Sequence, residues 1–144
     1  MQFKTIKTKK GLNLPVTGAP EQKIYTGQPI NSVGILGREY IGLKPSMLVR
    51  EGDRVALGQP IFSDKAQPGV QYTSPGCGVV GAIHRGEKRA LRSVEITLDG
   101  NDEETFDTYS HDALSVIGES DIRKNLIASG LWTAFRTRPY SKVP

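Results

Sequence analysis

The sequence predicts a mainly β chain folded around one core, with a short helix near its C-terminus. Three observations carry this expectation. Glycine and proline supply 16 and 9 of the 144 residues and recur as punctuation along the whole chain, the texture of short strands joined by tight turns. Apolar stretches at Val33 to Leu36, Met47 to Val49, Val55 to Leu57, Pro60 to Phe62, Val70 to Thr73 and Val79 to Ile83 are each bounded by Gly, Pro, Asp or Asn, the spacing of strands in a small sandwich or barrel. After Tyr109 the pattern changes to a helical one, and the length leaves room for a single ordinary core.

Taken in order, residues 2 to 7 alternate as a strand, and Gly11, Pro15, Gly18 and Pro20 divide the next segment into extended pieces and turns. The run Val94-Glu-Ile-Thr-Leu98 has clean period-two alternation, and Asp99-Gly-Asn-Asp102 supplies turn residues. A hairpin into a partner strand through Phe106 is therefore expected. Ser120 is placed to cap a helix whose face carries Ile122, Leu126 and Ile127, with Asp121 at its positive end and Gly130 at its close. The ending Arg136-Thr-Arg-Pro-Tyr-Ser-Lys-Val-Pro144 has no periodicity and reads as a linker. The expected division is an arm and β domain over residues 1–112, then a helix and linker over 113–144 leading toward a further domain.

The middle of the chain is the most informative. Leu48-Val-Arg-Glu-Gly-Asp-Arg-Val-Ala-Leu-Gly-Gln-Pro-Ile-Phe62 is followed by Thr73-Ser-Pro-Gly-Cys-Gly-Val-Val-Gly-Ala-Ile83. Gly52-Asp53 makes a tight turn, glycine taking positive φ while the Asp side chain accepts backbone hydrogen bonds, and Gly76 is expected to do the same in the second half. The pair resembles the hammerhead of biotinyl and lipoyl carrier domains, and hence the barrel-sandwich hybrid fold. A carrier would present a modifiable lysine between the halves, and Lys65 stands there in Asp64-Lys-Ala66. Against modification, Gln67-Pro-Gly69 breaks the second strand of the hairpin a carrier needs, and the biotin-type Met-Lys pair is absent.

Composition and charge exclude several classes. Hydrophobic residues make 37% and charged residues 24% of the chain, near globular averages, which argues against disorder or a fibrous architecture. Net charge is +4, with Lys4, Lys7, Lys9 and Lys10 at one end and Arg136, Arg138 and Lys142 at the other. No nucleic-acid-binding motif accompanies it, so no nucleic-acid partner is assigned. Cys77 is the single cysteine, which excludes an internal disulfide and a cysteine-held zinc or iron–sulfur site. No stretch approaches the roughly 20 apolar residues of a membrane span.

Read with the ends, the resemblance sharpens. Lys9-Lys-Gly-Leu-Asn-Leu-Pro-Val-Thr-Gly-Ala-Pro-Glu-Gln22, Met47 to Val55, Asp64-Lys-Ala-Gln-Pro-Gly-Val70, Ile83-His-Arg-Gly-Glu-Lys-Arg89 and Ser129-Gly-Leu-Trp-Thr-Ala-Phe-Arg-Thr-Arg-Pro-Tyr-Ser-Lys-Val-Pro144 together resemble the start of the A-subunit family of sodium-translocating NADH:quinone reductases. The last block is the most distinctive. Asn13, Ala66 and Tyr140 depart from the family's Asp, Lys and Phe. The resemblance implies a peripheral subunit on the cytoplasmic face of the bacterial inner membrane, in a complex that passes electrons from NADH to ubiquinone while exporting sodium. Its partners would be the other subunits, which hold the flavins and iron. The family member itself is expected to carry neither, and Gly34, Gly37 and Gly42 do not have the spacing of a dinucleotide fingerprint.

No catalytic or metal-ligating constellation is legible. His84 ends an apolar strand and His111 precedes Asp112; both read as structural. Cys77 between two glycines has no neighbouring base. What remains is a candidate quinone site. Ubiquinone has a flat ring, two carbonyl acceptors and an apolar tail, so it needs aromatic faces and a few donors. Gly37, Arg38 and Tyr40, together with Trp132, Phe135, Arg138 and Tyr140, supply those groups and are candidates for one wall of such a site; the competing reading is a structural adaptor domain in which Trp132 and Phe135 pack the helix end onto the sheet and the arginines stay solvated.

Overall fold

In the computed structural model of the chain, which describes residues 17–144 together with Lys7, Lys10 and Gly11, the apolar stretches become strands. These are β1 (Ser32–Leu36), β2 (Pro45–Met47), β3 (Arg54–Val55), β4 (Pro60–Asp64), β5 (Gln71–Thr73), β6 (Gly78–Arg85) and β7 (Leu91–Leu98). One α-helix follows, α1 (Glu119–Ala128). Short 3-10 turns lie at Gly37–Glu39, Glu87–Arg89, Asp112–Ser115 and Leu131–Ala134. The strand expected over residues 2 to 7 and most of the arm after it lie outside the described residues.

Among the described residues all strand pairs are antiparallel, and they form two sheets in the orders β1-β7-β6-β3 and β2-β4-β5. Alternation decides what faces inward. Leu91, Val94 and Ile96 of β7 are buried while Arg92, Glu95 and Thr97 between and beyond them are not, and they meet Val55, Ile61, Phe62, Tyr72 and Val80 in one core. Phe62 stacks on Tyr72 with ring centroids 4.6 Å apart, and Tyr40 meets Tyr72 edge-on at 4.6 Å. Register shifts in β6, between Val80 and Ala82 and between His84 and Arg85, bend the long β6-β7 ribbon around this core, as bulges do. The result is a barrel-sandwich hybrid followed by one short helix.

The hammerhead turns form as their residues dictate. Gly52 has φ +90°, a conformation that disfavours side chains, and its N–H donates to Val80 O at 2.8 Å. The Asp53 carboxylate accepts from Arg50 N at 2.7 Å. Gly76 differs from expectation. Its φ is not positive; instead a Cβ there would stand 2.4 Å from Leu98 Cδ2 and 3.1 Å from Val33 Cγ2, so the residue is small because β1 and β7 press against it.

Two other expectations are corrected. Residues 99 to 106 do not return as a strand beside β7, because β1 and β6 already occupy both edges of β7. They cross to the other hammerhead instead: Leu57 N donates to Asp102 O at 2.9 Å, Glu104 N to Leu57 O at 2.8 Å, and Phe106 covers Gly58. The helix, in turn, starts two residues earlier than a Ser120 cap requires. Gly118 occupies the cap position, and no side chain caps the helix. Its C-terminus is as expected: Gly130 has φ +77° and donates to Ile127 O at 3.1 Å, closing the helix in the left-handed manner. The helix has no buried residue of its own. It is held through its end, where Thr73 Oγ1 donates to Ser129 O at 3.3 Å and Trp132 packs against the core.

Candidate functional site

Beyond the helix, the chain turns back onto the barrel. Thr137 N donates to Lys142 O at 2.8 Å and Ser141 N to Thr137 O at 2.8 Å, closing a small loop that delivers Val143 into the core at 5% exposure. Trp132 Nε1 donates to Pro144 O at 2.9 Å, which ties Pro144 to the 3-10 turn after α1. On the barrel side, the segment after β1 makes its own 3-10 turn and places Tyr40 against Tyr72. The two segments meet there. Arg136 sets its guanidinium 5.2 Å from the centre of the Tyr40 ring, a cation–π contact.

Between them lies a cavity of about 200 Å³ lined by Tyr40, Gly42, Asp64, Tyr72, Lys142 and Val143, among others. Its floor is polar and buried. Asp64 is 6% exposed and Tyr72 2%. Asp64 Oδ1 accepts from Lys44 N at 3.0 Å and Ala66 N at 2.8 Å, which fixes the carboxylate at the end of β4. Burial above all, helped by Asp64 and Tyr40 and opposed by Arg136, pushes the Tyr72 phenol up to about 12, so its hydroxyl keeps its proton at neutral pH. A second groove of about 290 Å³ shares the wall Tyr40, Ile41 and Gly42 and continues past Arg38, Ala90 and Leu91.

The predicted wall residues are thus partly brought together. Tyr40 lines both spaces, and Gly37 and Arg38 line the groove. Gly37 sits so close to β7 that a Cβ would stand 2.4 Å from Leu91 O. Trp132 and Phe135 form an edge-on pair with centroids 5.4 Å apart, and Arg123 covers the Trp132 ring at 5.0 Å. This pair supports the tail and does not line the cavity. Arg138 and Tyr140 ride the tip of the closed tail loop and point away, Tyr140 at 72% exposure. Asp64, Tyr72, Lys142 and Val143 carry no chemical signal of their own in the sequence, although Asp64 to Val70 and Ser141-Lys-Val-Pro144 belong to the blocks that carry the family resemblance.

The remaining candidates have ordinary surroundings. Lys65 is exposed in the β4–β5 turn, its N–H bonded to Lys44 O at 2.9 Å. Cys77 is buried and its thiol donates to Asp99 O at 3.2 Å. His84 lies 3.6 Å from Glu95 on the exposed side of the β6-β7 ribbon. The His111 carbonyl accepts from Leu114 N at 3.3 Å, opening a 3-10 turn. Among the described residues no group of His, Cys, Asp and Glu is placed to hold a metal ion, and no helix is long and apolar enough to cross a membrane.

Two small sheets closed by hammerhead turns define the class: a barrel-sandwich hybrid domain without a prosthetic lysine motif. Comparison with known families agrees. Residues 6–99 match the family model described as the NqrA N-terminal barrel-sandwich hybrid domain, and residues 117–144 match the NqrA second alpha/beta domain. The chain belongs to the NqrA N-terminal domain family. It is 58% identical over 139 residues to a Neisseria meningitidis (serogroup C) protein, 56% to one from Pseudomonas aeruginosa (strain UCBPP-PA14) and 55% to one from Pasteurella multocida. All three are named as the A-type subunit of Na(+)-translocating NADH-quinone reductase. Each match covers 96% of this chain and 31% of the relative, so the chain spans under a third of their length.

Proposed function

We propose that this chain is the N-terminal barrel of a peripheral, non-catalytic subunit of a sodium-translocating NADH:quinone reductase, and that it supplies a binding wall for the quinone. Electrons pass from NADH to ubiquinone through flavins and iron held by other subunits, with sodium exported, and the barrel sits on the cytoplasmic face through those partners. Residues 113–144 lead into a second domain, in keeping with the separate family match that begins at residue 117. A carrier role with a group on Lys65 is disfavoured by family membership.

The observation that carries the quinone reading is the meeting of the Tyr40 loop and the C-terminal tail around one cavity. Sites for drug-sized ligands run to roughly 300–1,000 Å³; a cavity of about 200 Å³ therefore suits a single ring. The adjoining groove past Ile41, Leu43, Pro45 and Leu91 is apolar and suits the first units of an isoprenoid tail, with Arg38 at its edge. In the assembled reductase, Arg38→Ala is expected to raise the apparent quinone KM about fivefold, the value of one contact of about 1 kcal/mol. Phe135→Ala, acting only through Trp132, should raise it less. NADH oxidation by artificial acceptors should be unchanged in both. Wild-type quinone kinetics and inhibitor sensitivity in a normally assembled Arg38→Ala enzyme would remove this surface from the quinone path.

A further inference from the structure

Two buried polar residues on the cavity floor have hydrogen-bonding capacity that the fold leaves free. The Tyr72 side chain is 2% exposed and wedged between the Phe62 face and the Tyr40 edge. Its hydroxyl makes no hydrogen bond among the described residues, and since no fully buried side-chain polar atom there lacks a partner, it opens onto the cavity that Tyr72 lines, where a ligand can accept from it. The Asp64 carboxylate, 6% exposed, spends Oδ1 on two backbone N–H groups, while Oδ2 has no partner among the described residues. Both residues line the cavity. One is a donor without an acceptor, the other an acceptor without a donor, and they are close enough for the Asp64 charge to act on the Tyr72 phenol.

We propose that Tyr72 and Asp64 form the polar floor that recognises the quinone ring by oxidation state, Tyr72 donating to a carbonyl of the quinone and Asp64 accepting from a hydroxyl of the quinol. This rests on the quinone reading above and names the groups that act there. A quinone presents only acceptors and a quinol presents two donors, so a floor with one donor and one acceptor serves both forms, each through a different residue. Tyr40, which lines both the cavity and the groove, supplies the aromatic wall for the flat ring in either state. Neither residue transfers an electron, and no proton needs to leave the floor for it to discriminate.

Substitution separates the two roles. Tyr72→Phe keeps the ring that stacks on Phe62 and removes only the hydroxyl. Asp64→Asn keeps Oδ1 for Lys44 N and Ala66 N but replaces the free acceptor by a donor. The full-length subunit is titrated with ubiquinone-1 in air and with ubiquinol-1 under anaerobic conditions, with thermal unfolding as the check on folding. Tyr72→Phe is expected to weaken quinone binding about fivefold and quinol binding distinctly less, and Asp64→Asn to weaken quinol binding about fivefold without loosening the quinone. If the wild-type subunit binds both forms and Tyr72→Phe, at unchanged melting temperature, binds both as tightly or loosens both equally, this assignment is overturned while a quinone site elsewhere on the subunit stands. If the wild-type subunit binds neither form, the quinone reading itself falls and the assignment with it. Should Asp64→Asn not fold, the Tyr72→Phe pair of titrations decides alone.

Discussion

Gly78→Ala is expected to cost about 3 kcal/mol or more of folding stability, as a side chain forced into a packed interior does when the obstacle cannot move. Gly78 opens β6 opposite Leu98 of β7. A Cβ there would stand 1.9 Å from Thr97 O, 2.9 Å from Thr97 C and 3.0 Å from Asp99 N. All three are backbone atoms of the neighbouring strand and turn, so no rotamer change relieves the contact. Relief requires the β6-β7 ribbon to separate where the second hammerhead begins. Urea unfolding followed by circular dichroism measures the loss; an unchanged midpoint would mean that the two strands do not approach as described.

The second large effect is expected at Phe62. Fully buried and stacked on Tyr72, it holds the phenol that forms the cavity floor. Phe62→Ala should cost about 3–5 kcal/mol through lost transfer energy and the void left behind. Because Tyr72 then loses the surface that orients it, quinone affinity should fall as well, in any protein that remains folded. Stability from denaturant titration and binding of ubiquinone-1 by the full-length subunit check the two halves of this expectation. A variant that loses the stability but binds quinone as the wild type does would separate the floor from the site.

The β framework is largely legible because its signal is local. Each strand is a short apolar run between turn formers, and Gly52-Asp53 encodes its turn within a few residues. Sequence and fold part where a distant contact decides. The alternation of Val94 to Leu98 correctly marks a strand, but nothing near it reveals that β1, some 60 residues earlier in the chain, has taken the edge a hairpin partner would use. The four polar residues Asn101 to Glu104 are also a sign against a paired strand. Gly76 reads as a positive-φ residue because its neighbours are Pro and Cys-Gly; the side chains of Leu98 and Val33 that require it to be small belong to other strands.

The site divides in the same way. Aromatic and basic residues in the Tyr40 loop and in the tail point to two segments that do meet, although 100 residues separate Tyr40 from Tyr140. Which residues face the space between them depends on the loop closed by Thr137 and Lys142. That loop turns Arg138 and Tyr140 outward and brings Lys142 and Val143 in. Asp64 and Tyr72 are ordinary strand residues in the sequence, and only the stacking of Phe62, Tyr72 and Tyr40 makes them a floor.

Hydrogen–deuterium exchange of the full-length subunit with and without saturating ubiquinone tests the central claim most directly, since it reports where the ligand lies without altering any residue. Exchange is expected to slow in the segments around Tyr40 to Leu43, Asp64 to Gln67, Tyr72 and Lys142 to Val143, with the exposed β6–β7 turn near Lys88 unaffected. Protection confined to other parts of the subunit, with these four segments unchanged at saturating ligand, would contradict it.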